Sequence, residues 1–82
     1  MTITIYTKPG CQQCVATKRL FEKAGHTPAF IDITKDTAAE SHLRALGYLS
    51  LPVVYIDNNN HWYGFRPDLI ANVNEEAGHD IQ

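Results

Sequence analysis

The spacing of apolar residues along the chain predicts four strands. Apolar and β-branched residues crowd three short runs, at 2–6, 29–33 and 51–56, and a fourth run at 61–64 follows the polar turn 57–60. Runs of this length, bounded by turn residues, are typical of strands. The first run alternates, with Ile3 and Ile5 on one face, but it is dense enough in β-formers to predict a mostly buried strand. The second run is apolar on both faces except Asp32, which predicts a strand buried on both sides.

Helical spacing follows the first strand and predicts a helix from Cys11 to about Ala24, with Gly25 as its stop. Its core-facing side is predicted to be a row of residues spaced four apart, with one further residue on each flank. The row is Ala16, Leu20 and Ala24, and the flanking residues are Cys14 and Phe21. The charged residues of the segment then lie on the solvent side of the helix.

A second helix is predicted to begin at Thr37. Thr37 and Glu40 have the spacing of a capping box, in which the threonine hydroxyl accepts from an amide of the first turn and the glutamate reaches back to the Thr37 amide. The buried side of this helix is predicted to consist of Ala39, Leu43 and Leu46. Gly47 is expected to end it.

Pro67 suits the first turn of a third helix, because its missing N–H has no partner to lose there. The apolar face of this helix is predicted to consist of Leu69, Ile70, Val73 and Ala77. No pattern continues beyond it. We therefore expect residues 1–78 to form a single domain and residues 79–82 to be a frayed tail.

The predicted order of elements is β-α-β-α-β-β-α. A crossover helix joins parallel strands and a tight turn joins antiparallel ones, so the economical solution is an α/β fold. It has a four-stranded mixed sheet flanked by three helices. A chain of 82 residues is long enough for one such core.

Composition and charge exclude several classes of partner. The net charge is −2 with both signs interspersed, which gives no field for gathering nucleic acid. We therefore expect no nucleic-acid partner. No stretch reaches membrane-spanning length, so we expect no membrane partner either. The N-terminus lacks the pattern of a secretory signal, and the expected location is the cytoplasm, where thiols are kept mostly reduced.

The only two cysteines, Cys11 and Cys14, form a C-x-x-C pair at the predicted start of the first helix. Residues three apart on a helix lie about 5 to 6 Å apart, within the reach of a disulfide. The helix register turns Cys14 towards the core and leaves Cys11 at the rim, where the helix dipole favours its thiolate form. This predicts that Cys11 is the attacking sulfur and Cys14 the resolving one.

A cysteine pair has two other common uses in proteins, a structural disulfide and a metal site. A structural disulfide across so short a loop removes little entropy from the unfolded chain and would stabilise the fold poorly. A zinc site needs four ligands, and the four histidines show no ligand spacing. We therefore expect redox chemistry and no metal.

Four blocks of sequence resemble the NrdH-redoxins. They are YTKPGCQQC at 6–14, ALGY at 45–48, LPVV at 51–54 and WYGFRPD at 62–68. The resemblance implies a thioredoxin fold and an enzyme of the thiol-disulfide oxidoreductase class that binds no cofactor of its own. It further implies that electrons come from NADPH through a flavin-containing thioredoxin reductase and pass to the large subunit of class Ib ribonucleotide reductase, for deoxyribonucleotide synthesis.

The same resemblance assigns roles to individual residues. Cys11 is implied as the nucleophile, Cys14 as the resolving thiol and Pro52 as a cis-proline beside the disulfide. A cis bond at Pro52 would turn the Leu51 backbone outward, free to pair with an extended substrate. We expect the protein to act as a monomer.

Several further residues are candidates for partner contacts or for support of the site. Lys8 either adds positive potential near Cys11 or is a solvated loop lysine. Gln12 and Gln13 lie on the expected docking surface. Trp62 is either a packed aromatic or a partner contact.

Arg66 and Asp68 are expected to form a structural network in which Arg66 holds the hairpin against the last helix. Two positions depart from the pattern of the NrdH-redoxins. Gln12 stands where an aliphatic residue is common, and Tyr63 stands where serine is usual. Both departures bear on partner preference and leave the chemistry intact.

A glutathione-using glutaredoxin is the first alternative function. Glutaredoxins resemble one another in a Gly-Gly-x-Asp stretch that offers backbone N–H groups to a glutathione carboxylate. Here the corresponding run at 64–68 has the bulk of Phe65 and, in Pro67, a residue without an N–H, although Arg66 could attract a carboxylate. The second alternative is a non-enzymatic redox-sensing adaptor of thioredoxin-like fold.

Overall fold

The computed structural model describes residues 2–73. Its elements are β1 (Thr4–Thr7), α1 (Gln12–Lys23), β2 (Ala29–Asp32), α2 (Thr37–Ala45), β3 (Val53–Asp57), β4 (Asn60–Tyr63) and a third helix, α3, over 67–73. The position of Ala77 in that helix, the domain boundary at 78 and the tail 79–82 lie outside the described residues. The predicted order of strands and helices is confirmed.

The four strands form one mixed sheet with the order β2-β1-β3-β4. β1 runs parallel to β2 and antiparallel to β3, and β3 runs antiparallel to β4. The parallel pair is joined through α1 and the final pair is a hairpin, as the order of elements predicts. β1 therefore lies in the middle of the sheet, and the chain leaves it directly into the cysteine pair.

Each face of the sheet carries its own core. Ile5 and Val54 pack with Phe21 of α1 and Ile70 of α3 on one face. On the other face Tyr6 and Val53 pack with the α2 residues Ala39 and Leu43. Successive strand residues point to opposite faces, so neighbours in sequence contribute to different cores. Helices α1 and α3 thus cover one face and α2 covers the other.

β2 is less buried than its sequence predicts. Ala29 and Phe30 are exposed, and Ile31 and Asp32 are half-buried. The prediction of a strand buried on both faces is wrong here, because β2 lies at the edge of the sheet. β1, by contrast, is buried along most of its length, as expected.

The buried side of α1 also differs from the prediction. The fully buried residues are Cys14, Thr17 and Phe21, whereas Leu20 and the two predicted alanines are only half-buried. A polar residue can occupy this row because the Thr17 hydroxyl donates a 2.8 Å hydrogen bond to the carbonyl of Gln13. The apolar row predicted from the sequence is therefore the flank of the buried face.

α2 begins one residue earlier than the predicted capping box implies. Asp36 is the N-cap residue, and its carboxylate accepts a 3.0 Å hydrogen bond from the amide of Ala39. Thr37 is already helical, and Glu40 forms an ion pair with Arg44 at 3.5 Å. Aspartate competes at least as well as threonine for an N-cap, so the preceding residue takes the role.

The hairpin turn is tighter than predicted. Asn58 and Asn59 alone form it, and Asn60 already belongs to β4. The carboxylate of Asp57 accepts a 2.8 Å hydrogen bond from the amide of Asn59 and bonds of 3.0 and 3.1 Å from the Asn60 side chain. An aspartate that hydrogen-bonds the backbone two residues on stabilises a turn of this kind.

Candidate active site

The two cysteines lie at the N-terminus of α1 and are joined by a disulfide, with their Cα atoms 5.3 Å apart. Cys11 is the N-cap residue, with an extended backbone, and Cys14 lies within the first turn. The Cys11 amide donates to the Lys8 carbonyl at 3.4 Å, which closes the turn between β1 and the helix. The end of the central strand and the start of α1 thus position the pair.

The surroundings of the two sulfurs are unequal. Cys14 is fully buried, whereas Cys11 is half-exposed. The amide of Cys14 donates a hydrogen bond of 3.2 Å to the sulfur of Cys11. An N–H group and the positive end of a helix both favour negative charge at that sulfur. The geometry therefore allows an incoming sulfur to reach Cys11 and shields Cys14.

The residues that precede β3 lie at the same end of the sheet as the cysteine pair, because β3 runs antiparallel to β1 and Val53 pairs with Tyr6. The Leu51–Pro52 peptide bond is cis, and Pro52 is fully buried. β3 is held in place on one side by pairing of Val53 with Tyr6, and on the other by a 2.7 Å hydrogen bond from the Gly64 amide to the Pro52 carbonyl. Leu51 forms no backbone-to-backbone hydrogen bond within residues 2–73. Its backbone groups are therefore not used by the sheet.

Two grooves meet at Lys8, in the turn that precedes Cys11. The first, called here the apolar groove, has a volume of about 440 Å³ and is lined among others by Cys11, Gln12, Val15, Phe30 and Asp32. The second, called the polar groove, has a volume of about 430 Å³ and is lined among others by Glu40, Arg44, Tyr48, Leu49 and Leu51. Lys8 lines both. The apolar groove therefore reaches Cys11, and the polar groove adjoins it at Lys8.

The candidate docking residues differ in their surroundings. Lys8, Gln12 and Gln13 are exposed around the disulfide. Trp62 is half-buried, packs against the core on the α1 face and stacks on Phe21 with ring centroids 6.4 Å apart. The structure thus shows Trp62 as a packed aromatic, and a partner contact through its exposed part stays a prediction.

Arg66 and Asp68 form a pair that is more local than the sequence suggested. The Arg66 guanidinium donates two hydrogen bonds to the Asp68 carboxylate, at 3.0 and 3.2 Å, and both side chains are exposed. Within residues 2–73 the Arg66 side chain makes no hydrogen bond to the hairpin, so the expected tether between hairpin and helix is wrong. The pair braces the first turn of α3 instead. The same hydrogen bonds lower the pKa of Asp68.

Sequence reasoning missed a chain of aromatic contacts on the α2 face. The hydroxyl of Tyr48 and Nδ1 of His61 are 2.7 Å apart, and the Tyr48 ring also contacts Tyr63. Burial raises the pKa of Tyr48. Farther along the same face, the hydroxyl of Tyr6 lies 3.1 Å from Nδ1 of His42. The alternating Tyr55, His61 and Tyr63 of the hairpin were the signal that could have indicated this cluster.

Among residues 2–73, no three or more histidine, cysteine, aspartate or glutamate side chains are arranged to hold a metal ion. Within the same residues, no helix combines the length and the apolar character that a membrane crossing requires.

Comparison with known proteins places this geometry in a family. The glutaredoxin family model matches residues 3–62. The glutaredoxin-like protein NrdH of Escherichia coli (strain K12) is 47% identical over 70 residues, which are 85% of each chain. The Gene 56 protein of Mycobacterium phage D29 is 32% identical over 69 residues, which cover 83% of this chain and 77% of the phage protein.

Solved structures agree with this assignment. NrdH-redoxin from Escherichia coli, a glutaredoxin-like protein with a thioredoxin-like activity profile, superimposes with a TM-score of 0.83. It is 44% identical, and the match covers 89% of this chain and 95% of that one. Glutaredoxin from Archaeoglobus fulgidus, 21% identical with a TM-score of 0.69 over 85% of this chain and 82% of its own, shares the fold. The predicted thioredoxin-like fold is confirmed.

Proposed function

Because this chain belongs to the glutaredoxin family, as a relative of the NrdH proteins and a thiol-disulfide oxidoreductase, we propose that it is a dithiol electron donor of the NrdH-redoxin type. The observation that carries the proposal is the inequality of the two sulfurs. Cys11 is half-exposed at the helix N-terminus. Cys14, which forms the disulfide with Cys11, is fully buried. A client disulfide can therefore reach the sulfur of Cys11, whereas the sulfur of Cys14 can react only with Cys11.

The first step is attack by the Cys11 thiolate on a disulfide of the client. A bond forms between the Cys11 sulfur and one client sulfur, the client disulfide breaks, and the second client sulfur leaves as a thiolate, which takes up a proton from solvent. The helix N-terminus and the amide of Cys14 stabilise the charge on Cys11 before the attack. Exposure of Cys11 lets the client sulfur approach in line.

The second step resolves the mixed disulfide. Cys14 loses its proton and attacks the Cys11 sulfur, the bond to the client breaks, and the client sulfur leaves as a thiolate and takes up a proton. The client has then gained two electrons and two protons, and this chain holds the Cys11–Cys14 disulfide. The attack by Cys14 is intramolecular and therefore fast, because one helical turn holds the two cysteines close together.

The electron route we propose starts at NADPH, passes through a flavin-containing thioredoxin reductase to the disulfide of this chain, and ends at the large subunit of class Ib ribonucleotide reductase. The similarity to NrdH proteins over 85% of the chain supports this route, as does the thioredoxin-like activity profile of the Escherichia coli NrdH-redoxin. No bound cofactor is needed in this chain. We place the protein in the cytoplasm, as a monomer.

Client docking is proposed along Leu51 and Pro52. An extended client segment can pair with the unused backbone groups of Leu51, as strands are added to other domains. Lys8, Gln12 and Gln13 border the disulfide and contact the client on the other sides. The packed Trp62 steadies the hairpin against α1, and the Arg66–Asp68 pair steadies the first turn of α3.

Reduction of this protein by glutathione is less well supported, because of the residues at the start of α3. A carboxylate of glutathione would need free donors there, but Pro67 has no N–H and the Arg66 guanidinium is engaged with Asp68 at 3.0 Å. Phe65 is 38% exposed and adds bulk where a glycine would let the ligand approach the backbone.

One assay separates the candidate functions. The oxidised protein is mixed with insulin and NADPH, and either thioredoxin reductase or glutathione with glutathione reductase is added. NADPH consumption with the first system alone supports the proposal, and consumption with the second alone supports a glutaredoxin. No consumption with either system would indicate a redox-sensing adaptor and overturn the proposal. Coupled reduction of class Ib ribonucleotide reductase then tests the client.

A further inference from the structure

Leu49 and Tyr63 form an apolar surface beside the active site that the exchange chemistry does not use. Leu49 is 94% exposed and Tyr63 is 57% exposed. Both line one cavity of about 230 Å³, with Tyr48 between them. Exposed apolar side chains that adjoin one another are more informative than scattered ones, because they mark places where partners bind. The three side chains are called here the Leu49/Tyr63 platform.

Strand pairing fixes the platform next to the client-docking segment. Tyr63 lies directly opposite Val53, the residue after Pro52, and directly opposed residues have Cβ atoms about 4.5 to 5.5 Å apart. The amide of the next residue, Gly64, holds the Pro52 carbonyl at 2.7 Å. Leu49 lies two residues before Leu51 in the same segment of the chain. The platform therefore flanks Leu51 and Pro52.

The platform is held in place before any client arrives. The hydroxyl of Tyr48 is 2.7 Å from Nδ1 of His61, and the His61 ring stacks on Tyr55 with centroids 5.9 Å apart. The Tyr48 ring in turn contacts Tyr63, with centroids 6.0 Å apart. A surface whose aromatic side chains are already ordered loses less entropy on binding.

The polar groove connects the platform to the turn that precedes Cys11. Tyr48, Leu49 and Ser50 line both the polar groove and the platform cavity. At its other end the groove reaches Lys8, whose carbonyl accepts the Cys11 amide. A client segment that places its cysteine at Cys11 and pairs with Leu51 thus continues towards the platform.

We propose that the Leu49/Tyr63 platform is a specificity site, which binds a bulky apolar side chain close to the attacked cysteine in an extended polypeptide client. The proposal rests on the proposed function only in that the client is a disulfide of a polypeptide. Leu49 and Tyr63 supply the contact area, and Tyr48 and His61 hold Tyr63 in position. The platform thereby selects among disulfides that Cys11 attacks by the same chemistry.

The test uses pairs of synthetic peptide disulfides that differ at one position, phenylalanine or serine, placed one to four residues from the cysteine on either side. The protein is reduced with dithiothreitol and desalted, and the second-order rate constant of its oxidation is measured for each peptide. No reductase is present, so the result does not depend on the electron source. The wild-type protein should prefer phenylalanine about tenfold at one position, the discrimination expected when an apolar side chain is largely buried.

The variants locate that preference. Leu49→Ser and Tyr63→Ser should each reduce the phenylalanine-to-serine ratio to about threefold, and the double variant to about one. Tyr63→Phe keeps the ring and should keep the ratio. Val15→Ser alters an exposed apolar side chain of the apolar groove on the other side of Cys11, and should also keep it.

Three results would overturn the platform: equal rates for both peptides with the wild type, a preference that survives in the double variant, or a preference that Val15→Ser abolishes. Each leaves the proposed exchange function standing. Failure of the reduced wild-type protein to react with any disulfide would instead overturn the exchange function and the platform with it.

Discussion

The amide of Gly64 donates a 2.7 Å hydrogen bond to the carbonyl of Pro52. This bond ties the end of the hairpin to the cis-proline that immediately precedes β3. Gly64 can make it because its φ is +88°, a left-handed conformation that residues with a Cβ adopt only at a cost. The position of Pro52 is thus coupled to the backbone conformation of a glycine twelve residues later in the sequence.

Replacement of Gly64 tests this coupling. Gly64→Ala should lower the free energy of unfolding by about 1 kcal/mol through backbone strain. It should also lower the rate of insulin reduction several-fold, because the strain is relieved by moving the Pro52 segment. Urea denaturation and the NADPH-coupled assay measure the two effects.

Gly25 provides the matched control. Its φ is +94°, and an added Cβ meets no atom within 4 Å at either glycine. Gly25→Ala should therefore cause a similar loss of stability while leaving the insulin rate unchanged, because Gly25 lies at the far end of α1. A loss of activity in the Gly25 variant equal to that in the Gly64 variant would refute the coupling.

Substitution of single cysteines separates the two sulfurs. Cys14→Ser should keep the first step and stop at the mixed disulfide, because the exposed Cys11 can still attack. Cys11→Ser should lower the rate of client reduction at least about 100-fold, since the remaining thiol is buried. Mass spectrometry of the protein after reaction with a peptide disulfide detects the adduct, and an adduct on the Cys11→Ser protein instead would reverse the assigned roles.

The cap of α2 can be tested with neighbouring substitutions. Asp36→Ala removes the acceptor of the Ala39 amide and should lower the free energy of unfolding by about 1 kcal/mol. Thr37→Ala leaves that hydrogen bond intact and should change stability by less than about 0.5 kcal/mol. Urea denaturation at neutral pH gives both values. The reverse order would restore Thr37 as the cap.

The hairpin turn should make stability depend on pH in the acid range. Hydrogen bonds from Asn60 and Asn59 lower the pKa of Asp57 from its usual value of 3.8. A carboxyl whose pKa is lower in the folded state stabilises the fold above its unfolded-state pKa, and the stabilisation is lost as the pH falls through the folded-state value. Stability should therefore fall below about pH 4, by a smaller amount in Asp57→Asn than in the wild type.

That comparison is made by urea denaturation between pH 6 and pH 2.5. Asp32 and Asp68 also have lowered pKa values, so the substitution at Asp57 should remove only part of the acid dependence. An acid dependence identical in the two proteins would show that the turn carboxylate contributes nothing to it.

Much of the active site could be predicted from local sequence. The spacing of Cys11 and Cys14 on one helical turn sets their distance, and the direction of that turn decides which sulfur is buried. The element order predicted the mixed sheet, because connection type decides strand direction. These features depend on residues close together in the chain.

Other features could not be predicted, because they depend on the place of a strand in the sheet or on which of several hydrogen bonds forms in the folded chain. The exposure of Phe30 follows from the place of β2 at the sheet edge, which its own apolar sequence does not indicate. The burial of Thr17 depends on a hydrogen bond that satisfies its hydroxyl inside the core. The replacement of Thr37 by Asp36 as the cap reflects competition between two adjacent residues that are both good caps.

The thiol chemistry of this protein follows from its amino-acid sequence, because two thiols three residues apart at a helix start need nothing from the rest of the chain to come within bonding distance. The surroundings of the two thiols, by contrast, depend on the fold. Leu51, Pro52 and Tyr63 reach the disulfide edge because β3 pairs with β1 on one side and β4 on the other, and strand register is a property of the folded sheet. Reactivity is thus local in the sequence, whereas the surface that meets a client is assembled by the fold.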